Sequence, residues 1–361
     1  MSACSSLQKK EIIIAVNTEN GIGYFCDNNN KLLFNSQFEK VHSFSEGLAA
    51  VEINGKWGYI DKEGNQVIPC IYEKVSIFSE GLAAVEINDK WGYIDKEGNQ
   101  VTLYIYESAS IFSEGLAAVE INDKWSYIDK VGNQVTPYIY ENAHMFSEGL
   151  AMVESNSGRG YINTIGEQVI PCIYKLSATR FSEGLVPVEV NGKWGFIDKE
   201  GKQVIPCIYD GSWEFVEGLA GVEMNGKWGF IDKEGNQVIP LKYSFAYKFS
   251  EGLAFVYENG KNKIINKAGV EFYCGNYDGC DLLGGFSEGL APVKINDKWG
   301  YINKDADLVI PCMYDSADDF FEGLARVEIN GKWGVISKNG DVIIPPIAKN
   351  ITWSNISNKE Q

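Results

Sequence analysis

The chain has 361 residues, is 45 % hydrophobic and 13 % aromatic, and carries a net charge of −17. That apolar content suits a packed core and not a disordered chain. The excess of 49 acidic over 32 basic residues argues against duplex nucleic acid and against an anionic membrane surface as partners. No apolar run approaches the ~20 residues that span a bilayer. With 38 glycines and few helix-like stretches, the composition predicts an all-β protein of short strands and tight turns.

Residues 1–10 read as an N-terminal tail or linker. Ser2-Ala3-Cys4 resembles the end of a bacterial lipoprotein cleavage box, with Cys4 as the lipidated residue. No apolar segment precedes it, so the sequence as given favours a cytoplasmic start. A trimmed start would instead make Cys4 a cell-envelope anchor.

From residue 11 to 353 the chain keeps one clock. Glu-Gly pairs begin at Glu46, Glu80, Glu114, Glu148, Glu183, Glu217, Glu251, Glu288 and Glu322, with gaps of 34, 34, 34, 35, 34, 34, 37 and 34 residues. A first unit without this leader starts near Glu11. The sequence thus predicts ten tandem β-meander repeats, with residues 354–361 as a C-terminal tail. Such a period signals a repeat architecture and not a row of separate domains.

One unit illustrates all. Residues 48–54 form a first strand, and Asn54-Gly55 a hairpin turn with positive φ at both positions. Residues 56–62 alternate as a second strand. Gly64 supplies the left-handed position of a second turn. Residues 66–72 form a third strand, at an edge or bent because Pro69 cannot donate a ladder hydrogen bond. A short fourth strand is expected within 73–81. A meander this small cannot bury its own face, so each unit must complete its neighbour's core.

The motif Lys56-Trp57-Gly58-Tyr59-Ile60-Asp61-Lys62 returns at Lys90, Lys193 and Lys227, and in shorter form at Lys298 and Lys332. Unit four reads Lys124-Trp125-Ser126. This pattern resembles the WG-repeat (KWG-repeat) family of bacterial proteins. The resemblance implies a β-propeller-like or β-solenoid repeat domain and no assigned catalytic role. Ten short units fit a propeller-like ring or superhelix, with an open β-hairpin solenoid as the alternative. The pattern lapses at Ile22 in unit one, at Arg159-Gly160 in unit five, and in unit eight, which carries extra residues around 274–285.

A residue that recurs in most units serves the scaffold. Trp57, Trp91, Trp125, Trp194, Trp228, Trp299 and Trp333 therefore read as repeat anchors, with a sugar- or peptide-binding ladder as the alternative. As a core residue, Trp194 truncated to Ala should cost ~3–5 kcal/mol. The recurrent Glu of the Ser-Glu-Gly motif reads as an acceptor of backbone N–H bonds in the turn before the first strand, or as a solvated group, with cation chelation as the alternative. The Asp61-type turn offers too few carboxylates for calcium. His42 and His144 sit in loops at unmatched offsets and form no triad or zinc set. No phosphate loop is present. No catalytic, metal or cofactor residue is expected, and the protein is read as no enzyme.

Cys70, Cys172, Cys207 and Cys312 share one repeat position with Tyr and Leu, as an apolar packing site would. Cys274 and Cys280 are the candidate disulfide. Asn350 and Asn355 match glycosylation acceptors, a short pattern. The expected function is a non-enzymatic scaffold for a protein or glycan partner. The alternatives are a structural or adhesive envelope lipoprotein, and a hydrolase with its site in unit eight.

Overall fold

The computed structural model describes residues 11–34, 38–176, 180–273 and 285–356. Among them there is no helix, and the strands form small antiparallel sheets. In the second module Lys40–Val41, Ala49–Ile53, Lys56–Ile60 and Gln66–Tyr72 lie side by side in that order. Asn54 and Gly55 have φ of 54° and 69°, the hairpin geometry expected of them. The fourth strand does exist, but it belongs to the next module. Lys40–Val41 pairs with the first strand of its own sheet through Val41↔Val51 and Lys40↔Glu52.

Two local devices shape the module. The first is a second tight turn, Glu46-Gly47, with φ of 49° and 88°, closed by the Ser45 amide donating to the Leu48 carbonyl at 2.8 Å. Glutamate is an unusual occupant of the left-handed region, and it recurs there at all nine periodic Glu-Gly pairs from Glu46 to Glu322. The second device is the Gly of Trp-Gly. The third strand bends over it, with register shifts between Trp57 and Tyr59 and again between Tyr59 and Ile60. A Cβ on Gly58 would lie 2.5 Å from the Ile68 carbonyl oxygen and 2.7 Å from the Cys70 amide nitrogen. Pro69 sits on this bend, in a strand that is also at the sheet edge. In unit eight Lys263 takes the glycine's place. There the third strand runs in unbroken register through Lys263↔Tyr273, Ile264↔Phe272 and Ile265↔Glu271. In this unit the glycine and the proline are both missing, and the bend with them.

Asp61 and its counterparts close the second turn. Asp61 Oδ1 accepts the amides of Glu63 and Asn65, and Oδ2 accepts the Asn65 side-chain amide.

The core lies between modules. Leu48, Trp57, Tyr59, Ile68 and Tyr72 of the second module pack with Phe78, Ala83, Val85 and Ile94 of the third. Tyr59 meets Phe78 edge-on at 4.8 Å, and its hydroxyl donates to the Ser76 carbonyl. The same arrangement recurs down the chain. At the last step, Leu324, Val335, Ile344, Ala348 and Ile351 pack with Ile12, Ile14, Val16 and Cys26 of the first module. The first module meets the second through Ile13, Ala15 and Phe25 against Val41, Phe44 and Val51.

The chain ends share one sheet. The N-terminal strand, Glu11–Thr18, pairs on one side with Gly23–Asp27 and on the other with the C-terminal strand, Val342–Ile356. That C-terminal strand serves as third strand of the last module and then continues as fourth strand of the first. Gln168–Leu176 makes the same hand-over between modules five and six. The last strand runs three residues past 353, to Ile356.

Candidate functional site: the module junctions

The recurrent glutamates act where modules meet. The Glu46 carboxylate accepts the amides of Glu80 and Gly81 in the next module, at 2.6 and 2.9 Å. Glu80, Glu217, Glu251 and Glu288 each accept the amide of the next Gly at 2.9 Å. A lysine of that next module completes the group. Lys130 lies 3.1 Å from Glu80, Lys233 3.0 Å from Glu183, and Lys304 3.0 Å from Glu251. Several of these ammonium groups also donate to the glutamate's own backbone carbonyl, as Lys199 does to Glu148 at 3.1 Å. Beside most clasps a serine bridges the same junction: Ser45 donates to the Phe78 carbonyl and Ser79 to that of Phe112, both at 2.7 Å. These glutamates do accept backbone amides, but those of the next module and not of their own turn, and the cation beside most of them is a lysine of the chain.

Burial pushes the carboxyls of Glu80, Glu183 and Glu251 up. Their lysine partners and the incoming glycine amides outweigh it and hold them below the ordinary range. Carboxyls lowered by folding contribute stability that is complete above the unfolded value of about 4.3 and is lost as pH falls through the folded values. Melting temperature should therefore hold steady from neutral pH down to about 5 and drop below about 4. Exchanging Glu80, Glu183 and Glu251 together for Gln should flatten that acid limb; an unchanged limb would show that other carboxylates govern it.

The anchors lie as follows. Trp57 and Trp228 are buried, 8 % and 7 % exposed. Trp91, Trp125, Trp194, Trp299 and Trp333 are half-buried against the clusters that join their module to the next. Cys70, Cys172, Cys207 and Cys312 place their sulfurs 3.7–3.9 Å from carbonyls of the first strand. Cys4, Cys274 and Cys280 lie outside the described residues. Asn350 is exposed in the C-terminal strand, opposite Asn17.

One reading needs correction. His42 and His144 do not sit at unmatched offsets. Each stands two residues before a recurrent phenylalanine, Phe44 and Phe146, and each amide donates to the first strand of its module. Serines, Trp213, Tyr247 and Asp318 fill the same position elsewhere, so it tolerates wide variation. Burial lowers the affinity of both imidazoles for a proton. Likewise, in unit one it is Gly23, not Ile22, that stands opposite the third strand as Trp57 does, through the Gly23↔Phe38 bridge.

Unit eight holds a local ion network. Lys263 lies 2.6 Å from Glu258 and 2.8 Å from Glu271, and Lys242 reaches Glu271 at 2.7 Å. Hydrogen bonds from both lysines draw the Glu271 carboxyl down to about 2. These charges neutralise one another, so the network reads as a replacement for the missing Trp-Gly packing.

Two surfaces escaped the sequence reading. The residue just before the partner of the Trp position is apolar and outward-facing in most modules: Ile71, Ile105, Ile139, Ile173, Ile208, Met313 and Ile347, 46–63 % exposed, with isolated bridges in place of a third strand around Ile105 and Ile139. Its signal was present in the "IPCIY" alternation but was masked by the proline. Cavities also open at the two junctions where the 34-residue period is broken. One of 290 Å³ is lined by residues of modules four to six, including Glu114, His144, Ser147 and Arg180. One of 400 Å³ is lined by residues of modules seven to ten, including Tyr247, Lys248 and Asp319. Among the described residues, no group of three or more His, Cys, Asp or Glu could hold a metal ion, and no helix is long and apolar enough to cross a membrane.

Comparisons with known proteins agree with this modular organisation. No curated protein matches the sequence. A eukaryotic initiation factor shares the backbone fold with a TM-score of 0.56 at 10 % identity, over 96 % of this chain and 98 % of that one. Apo AztD from Citrobacter koseri aligns at 11 % identity over 97 % of this chain and 100 % of its own, with a TM-score of 0.43. The model of the WG containing repeat matches ten consecutive segments: 25–57, 57–91, 91–125, 125–157, 160–194, 194–228, 228–261, 276–299, 299–333 and 333–347. Ten matched segments, seven of them ending on a recurrent Trp, place this chain in the WG-containing repeat family.

Proposed function

We propose that the ten modules form a closed, propeller-like ring that serves as a non-enzymatic scaffold for a basic protein partner. The ring reading rests on the hand-over of the C-terminal strand to the first module, made in the same way as at an internal junction. A core cluster joins the last module to the first as others join consecutive modules. An open stack would leave its two end modules with unpaired faces. Cysteines placed at the facing positions Ala15 and Thr352 should form a disulfide under mild oxidation, read by peptide mass spectrometry. Failure to cross-link in the folded protein would overturn closure.

The observation that carries the scaffold reading is where the repeated side chains go. The recurrent Glu, Lys, Asp and Tyr groups are spent on turns and junctions, while the segments that face the Trp strands turn Ile and Met side chains to solvent. Natural edge strands usually carry charge to prevent association, so an exposed aliphatic row suits a partner. The tryptophans lean into the junctions, which supports aliphatic protein contact over sugar stacking. The net charge of −17 favours a basic partner and faster association at low salt.

The triple variant Ile71→Glu, Ile105→Glu, Ile139→Glu tests this. It should melt within about 2 °C of the parent, because surface changes usually stay within ~0.5 kcal/mol. It should also lose the proteins that the parent recovers reversibly, in a salt-dependent way, from its native cells. Retention of the same partners by the triple variant would overturn the reading.

A further inference from the structure

The junction of modules five and six and the one before it depart from the others in ways that meet at one place. The spacing from Glu148 to Glu183 is 35 residues, one more than the ordinary step. Two bonds made at most other junctions are absent here: Ser147 does not donate to the Phe181 carbonyl as Ser113 does to that of Phe146, and the Gly184 amide does not reach Glu148 as that of Gly149 reaches Glu114. At the adjoining junction, the lysine that pairs with every other described clasp from Glu46 to Glu288 is Thr164 in the sequence. Glu114 therefore accepts only the Gly149 amide, at 2.8 Å through Oε2, and has no cation among the described residues. Arg180, exposed and also without an anion among the described residues, stands on the far module.

Glu114, Ser147 and Arg180 all line the same cavity of 290 Å³, whose wall includes Met145 and Phe146. The sister junctions show what this glutamate position accepts. At Glu148, Glu183, Glu217 and Glu251 an ammonium group lies 2.9–3.0 Å from the carboxylate and also donates to the glutamate carbonyl. The Glu114 site offers the same carboxylate with the ammonium missing. A guanidinium in the same cavity is complementary to a carboxylate, which it can hold by paired hydrogen bonds. The volume sits at the lower end of the ~300–1,000 Å³ typical of small-molecule pockets, which suits a ligand of amino-acid or dipeptide size.

We propose that this cavity binds a small zwitterion, its ammonium on Glu114, its carboxylate on Arg180 with the Ser147 hydroxyl beside it, and its apolar part against Met145 and Phe146. The site is separate from the aliphatic rim, so the scaffold reading stands or falls without it.

Calorimetric titration of the intact protein with glycine, L-leucine and Gly-Leu tests the proposal. At least one of the three should bind saturably. N-acetyl-L-leucine, which lacks the ammonium, and L-leucinamide, which lacks the carboxylate, should not. Glu114→Gln and Arg180→Ala should each weaken binding about tenfold or more, the scale of one charge-assisted contact. Thr164→Lys, which restores the periodic lysine, should likewise weaken binding about tenfold while leaving the melting temperature equal or higher. That variant also separates loss of binding from loss of folding. Absence of saturation by all three zwitterions, equal binding of the blocked analogues, or affinities within about twofold of the parent for all three variants would each overturn the assignment.

Discussion

Trp228→Ala should lower the stability by about 3–5 kcal/mol, among the largest single losses available to this chain. The indole is 7 % exposed. It stacks on Trp213 at 5.6 Å and 24°, and meets Phe245 of the next module at 5.6 Å. Tyr243, Ala246 and Val256 share its cluster. Neighbours held by strands on both sides cannot collapse into the void, so both transfer and cavity costs apply. Urea unfolding measures it; a loss below about 1 kcal/mol would show that the tryptophan position is not a packing anchor. The half-buried Trp194 should lose less, about 2–3 kcal/mol, since part of its ring is already in water. That lowers the value its sequence motif alone suggests.

The second large effect comes from one methyl group. Gly195→Ala should cost about 3 kcal/mol, at the upper end of overpacking losses. Its new Cβ would lie 2.5 Å from the Ile205 carbonyl oxygen and 2.7 Å from both the Pro206 carbonyl carbon and the Cys207 amide nitrogen. Those are backbone atoms of a bent strand and cannot rotate aside. The bulge would have to straighten, and the Trp194↔Tyr209 and Phe196↔Ile205 pairings would shift. A loss under about 1 kcal/mol would show that the bend is soft. Unit eight marks the alternative solution: Lys263 stands where the glycine would be, and the strand facing it is straight.

These two positions show how the repeat could be read so far from letters alone. Trp beside Gly, with Pro ten to twelve residues on, is a local statement. A flat aromatic packs, a missing Cβ lets a strand bend over it, and a proline marks the bend. Asn54-Gly55 is equally local, because positive φ at two adjacent positions admits few residues. The spacing of the glutamates then yielded the module count, since one period along 361 residues implies one structural unit repeated. The left-handed conformation of those glutamates was not legible. Nothing in Ser-Glu-Gly announces a strained Glu, and its compensation comes from a glycine amide 35 residues away and a lysine 50 residues away. The matched placement of His42 and His144 is written in the sequence, each two residues before the recurrent Phe44 or Phe146.

By itself, then, the sequence determined the all-β class, the ten modules, their turns, and the need for each to borrow a neighbour's apolar face. Those follow from short-range sterics and from periodicity, which are written along the chain. Only the tertiary structure decided which modules are neighbours at the ends. It brought Ile12 and Ile14 against Ile344 and Ile351. It also turned Ile71 and its counterparts outward and opened a cavity where Glu114 lacks its lysine. Each of these depends on groups tens to hundreds of residues apart meeting in space, and no local preference encodes such a meeting.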